Sequence, residues 1–175
     1  MAKEKHAVVR TDNMYATDVR AGLVSIKYFD GEDQPAAIDN GNVLKVGELL
    51  AIDDDTYERE IFKGTEVAAD DELKDVVLLV GVEVMYDERL NSLDDYYNEA
   101  NKAIRGYRFH DGQIFSVTKE ALAGKEEPAI GDVVELAAGT KMSVAASATE
   151  GATKVGRIIA IDKVGRFTYY AILVG

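Results

Sequence analysis

The chain has 175 residues, 47% of them hydrophobic, enough to bury a core as one domain or as two small ones. Its 20 basic residues stand against 32 acidic ones, and the formal net charge of −12 argues against nucleic acid or an anionic membrane as a partner. Cysteine is absent, which rules out disulfides and thiolate metal sites and suits a reducing cytosol.

Residues 1–21 carry only scattered apolar side chains and read as an extended N-terminal arm, in which Ala7-Val8-Val9 could make a short strand. Met1 to His6 has no apolar segment behind it, so neither a signal peptide nor an anchor is expected, and the chain holds no Asn-x-Ser/Thr sequon. From Gly22 to Phe29, Leu23 and the alternating Val24, Ile26 and Tyr28 predict a strand, which the turn cluster Asp30-Gly31-Glu32-Asp33 ends. Asn40-Gly41 predicts a turn, since both residues accept positive φ, and it leads into a strand over Asn42–Leu50. Tyr57–Lys63 reads as another short strand between Asp53-Asp54-Asp55 and Asp70-Asp71-Glu72.

Val76 to Met85 is the longest apolar run and is rich in valine, which predicts a central strand. Val76 to Val80 is apolar on both faces, whereas Val82, Val84 and Tyr86 alternate with Glu83, Met85 and Asp87, so burial should drop from two faces to one near a bend at Gly81. Leu90–Ile104 has the one helical spacing, through Leu90, Leu93, Tyr97, Ala100 and Ile104. Asn91, Ser92, Asn98 and Asn101 weaken that helix and leave an irregular crossover as the alternative. Strands follow at Tyr107–Phe109, Gln113–Val117, Asp132–Leu136, Lys141–Ala145, Lys154–Ile161 and Arg166–Val174, with a loop through Gly124 and Pro128. The last strand is expected to tie the C-terminus into a sheet.

The expected fold is therefore mainly β. It consists of two small β-modules, barrel- or sandwich-like, with a short helix or irregular crossover between them. The boundaries are 1–21 for the arm, 22–89 for the first module, 90–106 for the crossover and 107–175 for the second module. Ile38–Val46 and Phe109–Val117 share one pattern of turn and strand, with Asn40-Gly41 matching Asp111-Gly112. That similarity is open to two origins, a duplication or the short residue menu of turns.

No catalytic site is expected. His6 lies on the arm, His110 reads as a turn residue, and there is no G-x-S-x-G or phosphate-binding glycine motif. The acidic clusters lack the ligand order of a calcium loop and read as solvated charge, so neither metal nor cofactor is expected. Charge is unevenly placed: Glu48–Asp75 holds eleven acidic and three basic residues, while Met1–Arg10 is net +2 and Gly151–Gly175 net +3. The nine tyrosines suit protein contact or the core equally. Val8, Val9, Arg10, Met14, Tyr15 and Arg20 are the residues expected to make a contact with a partner or a second subunit, because the arm has too little apolar content to fold alone.

Glu83-Val84-Met85-Tyr86-Asp87-Glu88-Arg89, Arg105-Gly106-Tyr107-Arg108, Asp111–Val117, Gly139-Thr140-Lys141 and Gly165–Tyr170 together resemble small structural proteins of tailed bacteriophages, encoded near the major capsid protein. The resemblance spans about Asp39 to the C-terminus, and its motifs carry no catalytic group. It implies a non-enzymatic capsid decoration protein on the phage head surface, assembled in the bacterial cytoplasm. The major capsid protein would be its partner, and self-association, for instance as a trimer, is implied with it. A virion surface or tail-associated β-module that binds a host surface component is the alternative.

Overall fold

The computed structural model describes residues 5–13, 22–51, 57–84 and 92–175. Along the chain its strands are β1 (Val9–Asn13), β2 (Leu23–Tyr28), β3 (Val43–Leu49), β4 (Ile61–Thr65), β5 (Val76–Leu79) and β6 (Ile104–Arg108). They continue as β7 (Ile114–Val117), β8 (Leu122–Gly124), β9 (Val133–Glu135), β10 (Met142–Ala145), β11 (Lys154–Val164) and β12 (Phe167–Val174). The molecule is mainly β and built as two sheets. One is a closed barrel in the order β2-β4-β3-β5-β6, and the other a seven-stranded sheet in the order β1-β7-β12-β11-β9-β10-β8.

The two sheets meet on β5. Its four side chains are fully buried, and their period of two divides them between two cores. Val77 and Leu79 face the barrel interior with Val24, Ile26, Leu44 and Ile104. Val76 and Leu78 belong to a second cluster, with Val43, Phe115, Val117 and Ile172, that lies between barrel and sheet. Burial of each such side chain contributes about 1.5–3 kcal/mol, so no other strand of this length is worth as much to the fold. The barrel is narrow. A Cβ on Gly64 would come within 2.8 Å of Ile26 and Leu44, and one on Gly106 within 2.8 Å of Val77, so both glycines make room for neighbouring side chains.

Backbone bonds fix the joint. The Val67 N–H donates to the Gly139 carbonyl at 2.9 Å, the Val43 N–H to the Thr140 carbonyl at 2.8 Å and the Thr153 N–H to the Ala69 carbonyl at 2.7 Å. The first of these is one side of an isolated antiparallel bridge.

Several expectations are corrected. No α-helix forms in Leu90–Ile104: among the described residues there is a single 3-10 turn at Leu93–Asp95, and Ile104 already starts β6. The cause is Asn98, whose backbone exchanges hydrogen bonds with Ile38 at 2.9 and 3.0 Å and whose side-chain amide donates to the Ile38 carbonyl at 3.0 Å. An asparagine that satisfies a remote backbone in this way competes with local helix formation. The central strand is shorter than expected, since Gly81 has both its N–H and its carbonyl engaged by the Asn40 side chain, at 2.7 and 3.1 Å. Val82 and Val84 follow it outside any strand, and Met85 lies outside the described residues. β6 closes the barrel, so the first sheet draws on residues up to Arg108 and not only on 22–89. The loop expected through Gly124 holds β8, and Tyr57–Lys63 divides into a 3-10 turn followed by β4.

Gly41 and Gly112 both adopt the left-handed region, with φ of 79° and 84°. They differ in surroundings: a Cβ on Gly41 would meet Ala121 at 3.1 Å and Val117 at 3.2 Å, whereas one on Gly112 meets nothing within 4 Å. Gly112→Val is therefore expected to cost only the backbone strain of about 1–3 kcal/mol, and Gly41→Val clearly more. Urea denaturation midpoints of the two variants measure the difference, and equal losses would contradict it.

Candidate interaction surface

The residues expected to contact a partner divide into two groups. Met14, Tyr15 and Arg20 lie outside the described residues. Val8 and Val9 are buried in this chain's own core rather than presented outward, and the Arg10 guanidinium sits over the Tyr169 ring at 5.2 Å. The physical reason is pairing. β1 adds antiparallel to β7, with Val9 opposite Val117, and Val8 exchanges bonds with Thr118, to its hydroxyl at 3.2 Å and from its N–H at 2.9 Å. His6 extends the attachment to the barrel: its Nδ1 is 2.7 Å from Asp39 Oδ1 and its ring lies 5.1 Å from that of Tyr97. Val8 and Val9 are thus structural, and the reading of them as partner contacts is withdrawn.

A groove of about 820 Å³ opens beside the end of β5. Leu23, Val82, Val84 and Tyr97 line it, each between 40% and 59% exposed, with Lys102 and Arg105 among its polar groups. Its floor is held by buried amides. Asn98 donates to Asn40 Oδ1 at 2.9 Å and accepts from the Tyr96 hydroxyl at 3.1 Å, and a Cβ on Gly81 would lie only 2.0 Å from Asn98 Oδ1. Glu83 borders this knot, 3.5 Å from the Asn40 amide. Burial pushes its carboxyl above the usual carboxylate range, and the Asn40 amide acts in the opposite direction. Burial likewise raises the Tyr96 hydroxyl, with the charges of Glu83 and Glu99 adding to the effect.

The acidic segment lies on the barrel. Glu48, Glu60, Glu66, Asp70 and Glu72 are exposed, while Asp53-Asp54-Asp55 falls outside the described residues. Part of its charge is matched by barrel lysines: Lys27 pairs with Glu58 and Lys45 with Asp71. Tyr28 donates to Glu66 at 3.2 Å, and burial, then the Glu66 charge, push its hydroxyl up to about 12. Among the described residues no three histidines or carboxylates converge on a place for a metal ion. His110 is exposed in the turn before β7, where its N–H donates to the buried Gln113 side chain at 2.9 Å.

Residues that the chain's local pattern did not single out also stand exposed. Ile159, Ile161 and Val164 are 36–50% exposed along β11. The period-two signal of Arg157–Ile161 was visible, but which edge of that strand lies open depends on sheet order, which local pattern does not carry. Comparison with protein families, with curated proteins and with solved structures finds no match for this chain.

Two outcomes are expected. Because Glu83 binds its proton more readily in the fold than in the unfolded chain, the ionised carboxyl subtracts from stability above its native pKa. That deficit is relieved as pH falls through the window between the raised native pKa and the ordinary one. Glu83→Gln should accordingly raise the denaturation midpoint at neutral pH, and its gain over the parent should disappear in acid. A gain independent of pH would contradict this account. Removal of residues 1–13 should uncover Phe115 and Val117 and lower the midpoint strongly, as measured by urea titration; a truncated chain of unchanged stability would show that β1 is dispensable.

Proposed function

We propose that this protein decorates the head of a tailed bacteriophage, binding the outside of the assembled shell through the major capsid protein and stabilising it against the pressure of the packaged genome. One observation carries the reading. Motifs in which the chain resembles phage structural proteins coincide with ties between distant segments. Gly139 and Thr140 bond to Val67 and Val43 across the joint. Arg108 donates to the Lys74 carbonyl at 2.7 Å, and the Gly112 N–H to the Val174 carbonyl at 3.0 Å. Arg166 reaches Asp94 and Ser92. The features shared with those proteins thus serve to make a stiff block, which is the property a shell-reinforcing protein needs.

Copy number in purified particles tests the proposal. Decoration requires a stoichiometry comparable with that of the major capsid protein, together with retention on empty heads and a higher temperature of head disruption when the protein is added back. A few copies per particle would overturn it and favour the tail-associated module.

A further inference from the structure

The outer edge of β11 carries an unmatched run of backbone. Lys154, Gly156 and Arg157 pair with β9. Ile158 uses both of its groups on the preceding loop, its N–H donating to the Asp132 carbonyl at 2.9 Å and its carbonyl accepting from the Gly131 N–H at 2.8 Å. Beyond that point, among the described residues, residues 159–164 have β12 as their backbone partner on one side and none on the other. The same stretch is exposed on both faces at residues 161–164 and carries Ile159, Ile161 and Val164. Open edges of this kind are templates for a further strand, and proteins usually blunt them with charge, proline or a bulge. Here the blunting consists of Asp162, Lys163 and one bulge between Ile158 and Ala160.

We propose that this edge is a docking strand for another protein, and that its occupant is an extended segment in which branched apolar residues alternate with carboxylates. Backbone bonding to the open edge would supply the attachment, and the exposed isoleucines and valine the apolar contact. The carboxylates follow from charge. From Gly151 onward the charged residues are Lys154, Arg157, Asp162, Lys163 and Arg166, net +3 on a chain of net −12, and all of them lie on β11 or in the turn after it. Arg166 is already paired with Asp94, which leaves Arg157 and Lys163 as the exposed cations along the edge. A second copy fits less well. Its acidic Glu48–Asp75 segment sits on a closed barrel whose strands are all paired, and apposing two β11 edges sets like charge against like. The inference stands without the capsid reading, since it rests on the edge alone.

The test uses the full chain and a fluorescent, end-blocked peptide of about eight residues, the length of an ordinary strand, alternating valine and glutamate. Fluorescence anisotropy should show saturable binding, and amide hydrogen exchange should slow at residues 159–164 when the peptide is present. Replacing its glutamates by lysine, N-methylating alternate backbone amides, or introducing Lys163→Glu with Arg157→Glu into the protein should each weaken binding by about tenfold or more. Val82→Lys, in the groove, should leave it unchanged. The proposal is overturned by absence of binding, by equal binding of the N-methylated or lysine peptide, by loss through Val82→Lys, or by self-association that protects residues 159–164 without peptide.

Discussion

Burial of β5 on both faces is the constraint on which the other features depend. A strand that places Val77 and Leu79 in one core and Val76 and Leu78 in another cannot be solvated on either side, so the barrel and the seven-stranded sheet have to pack against each other. This explains the narrow lumen. With four consecutive positions committed to bulky side chains, the partner strands yield space, and Gly106 does so directly against Val77. It also explains why the backbone ties of Val43 and Val67 run to residues 139 and 140, at the seam where the two sheets close over that core. The internal echo acquires a physical meaning here. Gly41 and Gly112 each turn the chain into a strand facing this core, β3 through Val43 and β7 through Phe115.

Polar chemistry sets where the apolar strand stops. Asn40 and Asn98 are buried with hydrogen bonds to Gly81, Ile38 and one another, and they occupy the strand-pairing groups of Gly81 that would otherwise continue the sheet. Buried amides are stabilising only when satisfied, so this arrangement is specific: each partner is supplied by a segment far away along the chain. Glu83 registers the same environment through its raised carboxyl pKa, because a group beside a dry amide knot loses water before it gains a countercharge.

These elements differ in how far local sequence could reveal them. The alternation of Val24, Ile26 and Tyr28, the two-sided run at Val76–Leu79 and the turn glycines Gly41 and Gly112 were legible, because each depends on neighbours within a few residues. Leu90–Ile104 was not, since its helical spacing is genuine but loses to the bonds that Asn98 makes with Ile38, a residue 60 positions away. The N-terminal segment failed for the same reason. Its apolar content is too small to fold alone, yet Val8 meets Thr118 across 110 residues and becomes part of a core whose mass comes from elsewhere. Contact residues assigned by composition were therefore drawn inward, while the exposed edge at Ile159–Val164 required the strand order of the whole sheet before it could be seen.

Charge follows this architecture. The acidic surplus lies on the barrel and is partly answered there, with Lys27 against Glu58 and Lys63 against Asp33. The cations of β11 belong to the opposite sheet, where Asp162 is the one acidic residue of the strand. Closing a barrel removes edges, so the acidic body can present side chains to a partner but no open ladder; the seven-stranded sheet presents an open ladder, and its surplus is positive. A partner steered by field alone would be repelled by most of this surface and drawn to β11, and screening at physiological salt, with a Debye length of about 8 Å, confines that attraction to the immediate neighbourhood of the edge. Sheet closure and charge placement thus select the same strand, one by leaving its backbone available and the other by favouring an acidic occupant.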